Sequence, residues 1–111
     1  MTRRHARHLA GFALPGLAAL MFAVEPVGAA GDRALGAYLA SECTSCHQLS
    51  GRSSGGIPPI VGWPEEQFVV VLDAYRSRQR DHTVMQTIAA RLSRDDIAAL
   101  AAYFGALTPK P

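Results

Sequence analysis

The chain has 111 residues, with 11 Lys or Arg against 9 Asp or Glu and a formal charge of +2, the scale of one domain. Residues 1–30 hold Arg3, Arg4, Arg7 and Glu25, so residues 31–111 carry eight basic and eight acidic side chains and no net charge. A balanced remainder has no basic footprint for nucleic acid, which excludes that class of partner.

The N-terminus runs from "MTRRHARH" through the apolar "LAGFALPGLAALMFAV" to the small residues of "EPVGAAGD". That order predicts a secretory signal peptide over residues 1–30, cut after Ala30 or Ala29, with a single domain over 31–111 exported to the periplasm. The competing expectation is an uncleaved anchor. The apolar run of 16 residues is interrupted by Pro15 and Gly16 and falls short of the roughly 20 that cross a bilayer, so no stable membrane span is expected after cleavage. A domain of 81 residues builds a marginal core unless a disulfide, metal or cofactor adds to it.

In "DRALGAYLASECTSC", residues 32–46, Leu35, Tyr38, Leu39 and Cys43 recur at helical spacing, and Asp32 suits an N-cap. Residues 48–64, "QLSGRSSGGIPPIVGWP", are rich in Gly, Ser and Pro and predict a loop. A long loop in a compact domain usually serves function. Residues 65–79, "EEQFVVVLDAYRSRQ", open with two acids and put Phe68, Val71, Leu72 and Tyr75 on one face, which predicts a helix. Within residues 80–92, Thr87–Leu92 suggest a short helix. The final segment opens on Ser93 with Asp96 three later, close to a capping box, and ends at Gly105 and Pro109. The expected class is all-α with one long irregular loop.

Both cysteines lie in "CTSCH", residues 43–47. A disulfide between Cys43 and Cys46 would staple nothing distant. Cys-x-x-Cys-His is the attachment pattern of c-type haem: two thiols one helical turn apart reach the two vinyl groups on one porphyrin edge, and the adjacent imidazole of His47 reaches the iron. The haem would also supply the apolar bulk that the chain lacks. A thioredoxin-like redox pair is the first competitor, but it normally opens a helix in a βαβ unit, and no strand is visible. Zinc is the second, and it needs four ligands from a set whose members are nearly contiguous. A second axial ligand is expected at Met85, the one methionine of residues 31–111. Core filling is the alternative role for Met85, and His82 is the competing ligand.

These residues resemble the class I c-type cytochromes. "PPIVGW", residues 58–63, is similar to the family's Pro-x-Leu-x-Gly loop. The match implies that the Pro58 carbonyl accepts from His47 Nδ1–H, and that Ile60 and Trp63 pack near the haem. Tyr103 and Phe104 resemble the aromatic pair of the C-terminal helix, which crosses the N-terminal one. Leu35 and Leu39 stand eight and four residues before Cys43, where the family carries Gly and an aromatic residue. Gly36 and Tyr38 are displaced from that pattern by one.

A narrower likeness covers most of residues 43–107. "TVMQTIAARLSRDDIAALAAYF" is similar to the haem subunit of flavocytochrome c sulfide dehydrogenases, although Gln86 follows the Met where Gly is common and Arg91-Leu92 replaces a Gly-aromatic pair. The resemblance implies a small class I cytochrome c fold, helices wrapped around one covalent haem, and electron transfer without catalytic residues of its own. Its partner would be a sulfide-oxidising flavoprotein. The alternatives are a free soluble carrier that serves another redox protein, an oxidase or a reductase, and a haem-based sensor.

Overall fold

The computed structural model describes residues 31–110, together with Gly11 and Gly16. The signal-peptide expectation for residues 1–30 therefore falls outside the described chain. Among the described residues five helices follow one another: α1 Arg33–Leu39, α2 Ser41–Thr44, α3 Glu65–Arg76, α4 Thr83–Ala89 and α5 Arg94–Gly105. Among the described residues the only β pairing is an isolated bridge between Ser54 and Ile57.

Asp32 caps α1, its Oδ1 accepting from the amides of Ala34 at 2.8 Å and Leu35 at 3.2 Å. The single helix expected over 32–46 is divided at Ala40, whose φ of −60° and ψ of −21° tighten the backbone. There Cys43 N–H and Thr44 N–H share the Ala40 carbonyl, both at 2.9 Å. The Cys43 bond is of the 3₁₀ type, so the chain re-aims as it enters the cysteine turn.

α5 is the spine of the fold. Its start is a complete capping box: Asp96 N–H donates to Ser93 Oγ at 3.0 Å, and Ser93 N–H donates to Asp96 Oδ2 at 2.8 Å. Ile97, Ala99, Leu100, Ala101, Ala102 and Phe104 are all buried along it. α1 crosses it at Gly36, where a Cβ would strike the Ala99 carbonyl and the Tyr103 Cβ. The crossing thus uses the glycine seven residues before Cys43, while Tyr38 is 80% exposed and takes no part.

α3 lies against α5 through Phe68 and Leu72, both buried. The Phe68 and Phe104 rings stack with centroids 5.9 Å apart. The helix stops at Arg76, three residues short of the expected end. Arg78 takes a left-handed φ of 61°, and Gln79 N–H reaches back to the Ala74 carbonyl at 2.9 Å while Arg78 N–H reaches Tyr75 at 3.1 Å. This is a Schellman stop with arginine in the place glycine usually takes. α4 begins at Thr83, earlier than the expected Thr87, and ends at Ala89. The cause is a cap supplied by His82, a residue type outside the usual N-cap set.

The 48–64 loop is fastened to α5 and the chain end. Gly62, at φ +77°, donates its N–H to the Phe104 carbonyl at 2.9 Å, and Lys110 N–H donates to Ser50 at 3.1 Å.

Two substitutions should move stability in opposite directions. Gly36→Ala should cost about 1–3 kcal/mol by forcing α1 off α5. Arg78→Gly should gain about 1 kcal/mol by relieving the left-handed arginine. Guanidinium unfolding of the two variants checks both signs.

Candidate functional site

The cysteine turn continues α2. Cys46 N–H and His47 N–H both donate to the Cys43 carbonyl, at 3.1 and 2.8 Å. One helix-like turn of backbone therefore carries both thiols and the imidazole. Cys43 is half-buried and Cys46 exposed, and no disulfide joins them. Burial first, then the adjacent Glu42 carboxylate, pushes the Cys43 thiol up to about 11. Among the described residues no three His, Cys, Asp or Glu side chains converge as a metal-binding group. The donor set suits a thiol that adds to an alkene better than it suits zinc.

His47 Nδ1 lies 2.7 Å from the Pro58 carbonyl oxygen. A carbonyl only accepts, so Nδ1 carries the proton and donates it. Nε2 keeps its lone pair. The ring is fixed in the tautomer and plane that a metal bond from Nε2 requires. Pro58 itself is exposed, and its main chain alone makes this contact.

The second histidine has the opposite arrangement. His82 Nδ1 accepts from Met85 N–H at 3.3 Å. Its lone pair is occupied by the helix cap, and in the neutral ring the proton sits on Nε2. His82 therefore has no nitrogen free to ligate while it caps α4. The Met85 thioether has no such conflict and needs no deprotonation.

Ile60 is buried at 8% exposure within the core cluster. Leu39, Cys43, Trp63 and Met85 are half-buried and pack against that same cluster. The fold thus brings Cys43, Ile60, Trp63 and Met85 to one apolar region from three separate segments, while His47 is joined to Pro58 by its hydrogen bond. Cys46 stays at the surface. These residues fit a haem: two thiols on one turn, an imidazole with its outer nitrogen free, a thioether, and an apolar wall including an aromatic.

Two contacts near the site have no simple sequence signal. The Gln86 side-chain amide donates to the Arg80 carbonyl at 2.9 Å. Arg91 pairs with Glu42 at 3.3 Å, linking the segment after α4 to the cysteine turn. Both depend on where separate segments fold back, which spacing alone does not encode.

The family model for cytochrome c matches residues 33–108. The chain is 36% identical over 100 residues to the cytochrome subunit of sulfide dehydrogenase from Chlorobaculum tepidum, covering 90% of this chain and 86% of that one. It is 34% identical to a thiosulfate dehydrogenase electron acceptor from Stutzerimonas stutzeri over 88% of this chain, but spans only 48% of that protein. Among solved structures, the thiosulfate dehydrogenase of Marichromatium purpuratum superposes with a TM-score of 0.63 at 31% identity, over 68% of this chain and 19% of that one. Reduced cytochrome c4 from Pseudomonas stutzeri gives 0.60 at 27% identity, over 70% of this chain and 50% of that one.

Because Pro58 acts through its carbonyl, Pro58→Ala should retain the bond from His47. It should cost only about 0.5–1 kcal/mol, through the freer unfolded chain. Proton NMR should still show a slowly exchanging Nδ1–H. Loss of that signal would contradict the assigned acceptor.

Proposed function

The chain belongs to the cytochrome c family, and from that membership we propose that it is the haem subunit of a sulfide-oxidising flavoprotein complex. As a member of that family it carries covalently bound haem c and transfers electrons. The bound iron supplies a one-electron couple. Cys43 and Cys46 would hold the porphyrin through thioethers. His47 Nε2 and the Met85 sulfur would ligate its iron. The Pro58 carbonyl keeps the imidazole in its ligating tautomer. The thioether favours the reduced state, and the apolar wall of Ile60 and Trp63 limits water, so both act to raise the potential.

The reading of the partner rests on one observation: the likeness to a sulfide dehydrogenase cytochrome subunit extends over nearly the full length of both chains. The surface beside Met85 is compatible with it. Val84 is 59% exposed, and the adjoining Thr83 brings no charge. Docking there would rest on apolar burial and shape rather than on long-range steering, and would vary little with salt. Export of residues 31–111 to the periplasm after removal of 1–30 completes the proposal. No helix among the described residues is long and apolar enough to cross a membrane.

A free-standing carrier is the second reading, favoured by the similarity to a thiosulfate dehydrogenase electron acceptor. The two separate in one experiment. The purified cytochrome is mixed with periplasmic extract and given sulfide or thiosulfate. Rapid haem reduction by sulfide, with a flavoprotein co-purifying, supports the subunit. Reduction by thiosulfate alone, with no stable partner, supports the carrier.

Site variants test the ligands. Met85→Ala should abolish the weak near-infrared sulfur-to-iron band of the oxidised protein and lower its potential. The haem should still migrate with the chain on a denaturing gel. A band that persists in the variant excludes Met85.

A further inference from the structure

α4 is only seven residues long, and Ala89, at its far end, is its one buried residue. Its first turn gains little from burial: Thr83 and Val84 are exposed, and Met85 is half-buried. A helix this short is marginal without caps or packing. The turn that carries Met85 must be held by something else.

Two side chains hold it. His82 takes an extended backbone with φ −174° and ψ 109°, and its ring accepts the Met85 amide proton at 3.3 Å. One turn on, the Gln86 amide donates to the Arg80 carbonyl at 2.9 Å, closing the segment on itself. This loop is braced in turn against α3. Arg80 Nε donates to the Tyr75 hydroxyl at 2.9 Å, and its guanidinium lies 5.3 Å from the centre of the Tyr75 ring. The His82 ring meets the same tyrosine edge-on at 6.4 Å. Tyr75 packs against the buried core. The chain of contacts therefore runs from the core, through Tyr75, Arg80 and the two clasping side chains, to the backbone of Met85.

We propose that His82 and Gln86 are positioning residues for Met85: the His82 ring fixes its amide, the Gln86 side chain locks the turn, and together they set where the thioether stands. This gives Gln86 a role that a glycine in its place would lack. The inference rests on the reading of Met85 as an axial ligand. Opening the clasp raises the population in which the sulfur is away from the iron, and an external ligand then binds more tightly in proportion.

The test is imidazole titration of the oxidised, haem-loaded protein, read together with the near-infrared sulfur-to-iron band. His82→Ala and Gln86→Gly should each bind imidazole about fivefold tighter, the size of one lost helix cap, and show a weakened band. His82→Asn retains a capping acceptor and should stay within about twofold of the parent. Ser93→Ala removes the distant α5 cap. It should lower the unfolding temperature and leave imidazole affinity unchanged. The proposal is overturned if His82→Ala and Gln86→Gly match the parent, or if Ser93→Ala shifts affinity as much as they do. Should His82→Ala fail to fold, Gln86→Gly and His82→Asn decide the matter alone. Met85→Ala separates the premise: an unchanged band and affinity there overturn the ligand reading and the clasp with it, whereas a lost band beside unaltered clasp variants overturns the clasp only.

Discussion

The hydrogen bond from His47 Nδ1–H to the Pro58 carbonyl, 2.7 Å long, joins the cysteine turn to a loop that has little regular structure of its own. It gives one imidazole a fixed plane and a free outer nitrogen. The loop can serve as a fixed acceptor because it is anchored at both ends. Gly62 bonds to the Phe104 carbonyl and Ser50 bonds to Lys110, while Ile60 and Val61 are buried in the core. The cysteine turn is positioned independently, through α1 and its crossing of α5 at Gly36. Two separately braced segments therefore meet at one bond, and a displacement of either breaks the geometry of the site.

The peptide core is modest, and its large, fully buried side chains are Phe68, Phe104, Ile97 and Leu100. Around it stands a second tier of half-buried apolar groups, among them Leu39, Trp63, Met85 and Tyr103. A covalent porphyrin can cover such a tier: the group adds apolar area that a chain of this length does not supply. Covalent attachment also gives the exposed Cys46 a purpose that packing does not. The same logic separates the two histidines. One has its inner nitrogen donating to a carbonyl and its outer one free, whereas the other spends its lone pair on a helix amide.

Local chemistry made much of this legible. Asp32, Ser93 with Asp96, and the paired acids Glu65 and Glu66 mark helix starts through side chains that satisfy orphan amides or complement the helix dipole, and those starts lie where the pattern put them. The Cys43–Cys46–His47 spacing identified the cofactor because few other chemistries need that arrangement. Features set by tertiary contact were not legible. The break at Ala40 follows from re-aiming α1 into the cysteine turn. The early end of α3 relies on a left-handed Arg78, which no propensity favours. The start of α4 depends on a histidine cap, and Gln86 gains its meaning only when Arg80 folds back against Tyr75. The glycine at the helix crossing is one residue away from the position the family pattern suggests, so only the packed structure identifies Gly36.

The central claim is that this fold holds one haem iron between the imidazole of His47 and the thioether of Met85. X-ray absorption at the iron edge of the oxidised protein tests it most directly, because it distinguishes sulfur from nitrogen in the ligand shell. The account predicts a single sulfur neighbour beside the imidazole and pyrrole nitrogens, lost in Met85→Ala. An all-nitrogen shell in the parent protein would contradict it.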